Sequence, residues 1–196
     1  MQKQWRNIAI ILAVLVITFL LYTFIPSFLG PQSFEAEYLE LQKIWVAEGL
    51  YETGLHAQAD SIGYLSQEQL SDLKQSISDF SAQARYPSTK KIATAYILLI
   101  NSVLYSQEYE DLTYGMEAEN VCLQISVFEK IKTILSKKLN LSVEYADEVN
   151  SFTVEYPVEA ELISLSVIPD ERFNEGKQEI EAYNTLLNEV KTLCAQ

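Results

Sequence analysis

IATAYILLINSVLY, residues 92–105, is the stretch on which the fold turns. Apolar side chains cover nearly every face of a helix drawn through it, and such a helix is stable only where protein or lipid surrounds it. Lipid is the poorer match. The run is shorter than the roughly 20 residues that a bilayer core requires, and Asn101 and Ser102 interrupt it. It reads as the buried central helix of a bundle, opened by Pro87 and Ser88, with a re-entrant membrane segment as the lesser alternative.

The flanking segments carry the one-sided patterns that such a centre needs. Upstream, Ser66 and Gln69 form a Ser-x-x-Gln capping box, and Leu70, Leu73, Ile77, Phe80 and Ala84 follow at spacings of three and four. Before it, residues 34–59 offer Leu39, Leu41, Ile44, Trp45, Leu50 and Leu55 as core contacts, with Gly49 and Gly54 as points of bending. Downstream, a helix over residues 115–139 presents Val121, Ile125, Phe128, Ile131 and Leu135, and Asn140 supplies a stop. Residues 142–168 hold competing periods. Phe152, Val154, Tyr156 and Val158 alternate as in a strand, but Tyr145, Val149, Phe152, Tyr156, Ala160, Ile163 and Val167 form a longer helical stripe. The longer match predicts a helix broken or kinked at Pro157. A last helix begins after Pro169 with Asp170 as its cap and Phe173, Ile180, Tyr183, Leu187 and Val190 as its core face. The expected fold is therefore all-α, a bundle of about five or six helices.

A second apolar stretch, IAIILAVLVITFLLYTFI at residues 8–25, is longer than the first, and no charge occurs anywhere from Asn7 to Ser33. About 20 residues at 1.5 Å each match the thickness of a hydrocarbon core, and a helix there satisfies its own backbone hydrogen bonds. Trp5 and Tyr22 stand near its ends, and Pro26 and Pro31 follow it. The reading is a single transmembrane helix. Lys3 and Arg6 precede it and Glu35, Glu37 and Glu40 come first after it, so the positive-inside bias keeps the N-terminus cytoplasmic and sends the bulk of the chain outside. A cleaved signal peptide is the main rival, but the run is longer than an ordinary apolar core of a signal, and no small-x-small site precedes Phe34. Pilin subunits also begin with a basic flank and an apolar helix, yet here no Gly or Ala follows Arg6 and no Glu lies early in the run. The Gly30-Pro31 pair divides the expected organisation into residues 1–30, a cytoplasmic N-terminus and signal-anchor helix, and residues 31–196, an acidic extracytoplasmic helical domain.

Charge restricts the partners. The chain has 14 basic and 27 acidic side chains, and setting aside Lys3 and Arg6 leaves about −15 on the rest. Such a surface repels phosphate backbones, which excludes nucleic acid as an expected partner. Lys130, Lys132, Lys137 and Lys138 cluster toward the end of the expected fourth helix, where cations offset the helix dipole.

Candidate sites are few. Glu48, Glu52, His56 and Asp60 recur every four residues and form the best metal candidate in the chain. A di-iron bundle needs Glu-x-x-His pairs on two helices, whereas Thr53 occupies the required place and His56 is the one histidine. A solvated acidic face is the stronger reading, and no cofactor is expected. Cys122 and Cys194 could form one disulfide in an oxidising compartment or remain two small core residues. Asn140-Leu141-Ser142 matches a glycosylation sequon at an expected helix junction. Phosphate loops, the nucleophile elbow and paired Cys-x-x-Cys motifs are missing from the sequence. The expectation is a non-catalytic, membrane-anchored component that contacts another protein or itself through a Tyr-rich helical domain. The alternative is a ligand- or metal-binding ectodomain, or an enzyme of unfamiliar type.

Overall fold

The computed structural model describes residues 33–47, 62–114 and 118–195. Their regular structure is all helical: α1 (Phe34–Ala47), α2 (Gln67–Gln83), α3 (Pro87–Tyr114), α4 (Ile125–Glu155), α5 (Pro157–Leu162) and α6 (Asn174–Cys194), with 3-10 helices at Ala118–Gln124 and Asp170–Phe173. The apolar run at residues 8–25 lies outside the described residues. Among the described residues no helix is long and apolar enough to cross a membrane.

The central position of α3 follows from its sequence. Ile92, Ala93, Ala95, Tyr96, Leu99 and Ile100 are all buried, and α3 touches α1, α2 and α4. Its partner α4 runs antiparallel. Lys91 Nζ lies 2.8 Å from Glu155 at one end, Ser102 Oγ 3.0 Å from Ser142 Oγ midway, and Lys130 Nζ 3.1 Å from Glu108 near the other. Ser66 caps α2: its hydroxyl accepts from the Gln69 N–H, and the Gln69 side chain accepts in return from the Ser66 N–H. Two of the four unpaired donors at that helix start are thereby satisfied. Leu70, Leu73 and Ile77 are then buried against the bundle.

Hydrogen bonds from buried polar side chains fix how the pieces join. The Glu37 carboxylate, almost wholly buried, accepts from the backbone N–H groups of Arg85 and Tyr86 at 2.7 and 3.2 Å. It thus ties α1 to the turn that opens α3 and satisfies donors that would otherwise be orphaned away from water. Asn150 on α4 acts in the same way on the strap that follows α5. Its amide Nδ2 donates to the Ile168 carbonyl (2.9 Å) and its Oδ1 accepts from the Ile168 N–H (2.7 Å). Leu165 and Ile168 are buried as a result.

Several expectations need correction. Asn140 does not stop a helix: α4 passes through it without a break to Glu155, because Ile131, Ile134, Leu135, Tyr145, Val149 and Phe152 continue one buried face on both sides. The helical stripe beyond Pro157 ends early. α5 stops at Leu162, and residues 163–169 form the strap. Its end is a Schellman arrangement, in which Leu165 N–H donates to the Ala160 carbonyl and Ser164 N–H to the Glu161 carbonyl. Ser164 holds the left-handed conformation there, φ 53°. Asp170 makes no side-chain capping bond, and Pro169 takes the capping position of the 3-10 helix. Leu39 and Val121 are exposed rather than core. Leu50 and Leu55 lie outside the described residues.

Candidate functional site

The metal candidates Glu48, Glu52, His56 and Asp60 lie outside the described residues. Among the described residues, no group of three or more His, Cys, Asp or Glu side chains converges as a metal site would. Cys122 and Cys194 are joined by a disulfide that spans 72 positions of sequence, with Cα atoms 5.4 Å apart. It ties the 3-10 helix before α4 to the last turn of α6. Asn140 is exposed, but it sits within a continuous helix and not at a junction. The Ser142 hydroxyl of its sequon donates to the Lys138 carbonyl at 2.9 Å and lies 3.0 Å from Ser102 Oγ. In the folded protein the proton of that hydroxyl is therefore already donated within the helix.

The lysine cluster has a different role from the one its expected position implied. Because α4 runs from Ile125 to Glu155, these residues lie between its second turn and its middle, away from the C-terminal end where cations offset the dipole. Lys130 pairs with Glu108 of α3, and the Lys137 ammonium stands 5.4 Å from the centre of the Tyr105 ring. Neighbouring Glu129 lies 2.6 Å from Lys191 of α6. The Lys191 hydrogen bond and charge hold the Glu129 carboxyl below its ordinary value, with a smaller pull from Lys132. These contacts lace α3, α4 and α6 together along their outer faces.

Where α6 meets α4 a cleft of about 250 Å³ opens, lined by Tyr109, Leu139, Lys138, Arg172, Phe173 and Ile180 among others. Gly176 permits the approach: a Cβ there would come within 3.2 Å of Leu139 Cδ1. Burial pushes the nearby Tyr145 hydroxyl up to about 12, with the Arg172 charge pulling weakly the other way. Tyr183, which donates to the Phe128 carbonyl at 3.2 Å, is also raised, first by burial and then by Tyr109. None of these groups forms a nucleophile and base pair. Ser142 meets another serine and a backbone carbonyl, and raised tyrosines are weaker, not stronger, nucleophiles at neutral pH.

A second cleft, about 290 Å³, lies between α1 and α5 and is lined by Phe34, Tyr38, Leu39, Gln42, Leu162 and Ile163 among others. Large apolar side chains stand exposed at both ends of the bundle. Val154, Val158 and Leu162 do so beside α5, and Tyr64, Tyr114, Leu123 and Leu193 at the opposite end. The Cys122–Cys194 bond brings Leu123 and Leu193 into one neighbourhood. Sequence reading missed Glu37, Asn150 and Arg172. The first two bond to backbone far away in sequence, which no local pattern signals. The class that fold and site define is an all-α bundle cross-linked at one end and apolar at both. No protein-family model, curated protein or solved structure matches the chain.

Proposed function

We propose that this chain is a single-pass membrane protein, N-terminus cytoplasmic, whose acidic helical domain lies outside the cytoplasm and serves as a non-catalytic interaction or assembly component. The observation that carries the interaction role is the exposed apolar surface at the end of the bundle where α6 closes. Tyr114 is 96% and Leu123 81% exposed, and Leu193 is 69% exposed beside the disulfide. Isolated exposed leucines need no explanation, but several large ones gathered at one end mark a contact surface. The apolar run at residues 8–25 and its basic flank support the anchor. The disulfide in the domain supports an oxidising compartment, where such bonds persist.

Protease treatment of intact cells carrying the chain with a tag at each end tests the topology. The C-terminal tag should be cleaved on intact cells, and a shielded one overturns the orientation. Pull-down of the intact protein from detergent tests the role. It should recover a stoichiometric partner or a second copy, and Leu123→Asp together with Leu193→Asp should reduce that recovery. Repeated isolation of a lone monomer would count decisively against an assembly component.

A further inference from the structure

We propose that the α1/α5 end of the bundle rests on the bilayer that anchors the chain, with Val154, Val158 and Leu162 set against a zwitterionic lipid surface. The inference rests on the membrane-anchored reading above and adds the orientation of the domain.

Distance decides which end can touch the bilayer. Residues 26–32 join the apolar run to Ser33, and seven residues reach at most about 25 Å when fully extended. The first residue of α1, Phe34, packs against Phe152 near the end of α4, with ring centres 6.1 Å apart. The chain therefore arrives at the α1/α5 end. From there α4 extends over Ile125–Glu155, which at 1.5 Å per residue is about 45 Å. The opposite end lies beyond the tether whenever the bundle stands on the end where it is attached.

The attached end has the surface that such a contact requires. Val154 is 79%, Val158 68% and Leu162 59% exposed. Val158 and Leu162 are one turn apart on α5, which departs from α4 at Tyr156 (φ −130°, ψ 61°). Leu39 and Leu162 line the same α1/α5 cleft, interspersed with Glu35, Gln42 and Ser164, so apolar side chains reach the place where the chain enters within a mixed surface. Exposed aliphatic side chains on a short helix beside a membrane gain by sinking to the headgroup boundary. Charge selects the lipid. Glu155 is paired with Lys91, Glu159 and Glu161 alternate with the apolar residues of α5, and exposed Arg85 and Lys90 stand at the same end, so neither sign of charge prevails and a zwitterionic surface fits best.

Photo-crosslinking of the full chain in phosphatidylcholine nanodiscs tests the idea. Benzoylphenylalanine is placed singly at Val158, at Leu162, or at Leu123, a still more exposed apolar site at the opposite end. Intact mass after irradiation should show lipid adducts at positions 158 and 162, roughly tenfold above position 123, given about 45 Å between the two ends. Equal lipid adducts at position 123 would mean that the bundle lies flat, and protein adducts at position 158 would mean that a partner or second copy covers α5. Either result overturns the proposal while leaving the anchor intact. A chain that elutes free of the discs removes the anchor as well.

Discussion

At the α1/α5 end, Phe34, Tyr38, Trp45, Tyr96 and Phe152 are buried together, with the Trp45 and Tyr96 rings 4.5 Å apart and Phe34 packed on both Tyr38 and Phe152. At the other end α6 has a single buried residue, Leu187, and is held by a disulfide, the Lys191–Glu129 pair and the Tyr183 hydroxyl on the Phe128 carbonyl. The first end is closed by area removed from water, and aromatic side chains supply much of it. The second is closed by a covalent tie and by surface contacts of small individual worth. A chain built in this way has one end whose loss unfolds everything and another whose loss can stay local.

The largest expected effect tests the buried end. Phe152→Ala removes a ring that is fully buried and touches Phe34 and Tyr156, which should cost about 3–5 kcal/mol. For a domain of ordinary stability that is a large share of the total. Urea unfolding of the detergent-solubilised chain should show a single transition at a much lower midpoint, with amide protection lost throughout. A variant that loosened α1 alone would show that the two ends are not divided as argued.

Removing the cross-link tests the other end. Cys122→Ser with Cys194→Ser opens a loop spanning 72 positions and should cost about 2–4 kcal/mol. Hydrogen exchange should accelerate over α6 while the buried faces of α1, α2 and α3 keep their protection. Equal acceleration in α3 would mean that α6 belongs to one cooperative core. The same variant should respond to acid. Lys191 holds the Glu129 pKa below its ordinary 4.5, so the folded state favours the ionised carboxylate. That contribution is present above pH 4.5 and is lost as pH falls through the lowered folded value. In the uncross-linked chain, α6 should therefore lose further protection on acidification below that point.

The contrast between the ends also explains how much of the molecule was legible in the sequence. Where burial is deep, apolar spacing dominates. Ile92 to Ile100 in α3 and Leu70, Leu73 and Ile77 in α2 appear in the structure as the pattern implied, and Pro157 breaks the helix where it stands. Asn140 misled because its preference against a helix interior is worth well under 1 kcal/mol, less than the buried face that passes on either side of it. The stripe on α6 overstated its burial, since a helix leaning mainly on one neighbour covers few of the residues that its periodicity marks. The candidate sites were less legible still. The cleft containing Lys138 and Arg172 joins segments far apart in sequence, and only the docking of α6 brings them together.

The smallest expected effect sharpens the buried end by probing a residue held in a strained backbone conformation. Ser164 adopts φ 53° at the end of α5, a region that costs an L residue about 1–2 kcal/mol and glycine almost nothing. Ser164→Gly relieves that strain but gives the unfolded chain more freedom, which offsets about 0.5–1 kcal/mol. The net expectation is a gain of roughly 0.5–1 kcal/mol, read as a higher urea midpoint at unchanged slope. The gain depends on the strap being well held by Asn150 at Ile168 and by Leu165 N–H on the Ala160 carbonyl. A strap that frayed in the native state would relieve the strain by itself, and the substitution would then lower the midpoint. The sign of this small change thus reports whether the buried end extends through residue 168 or stops at α5.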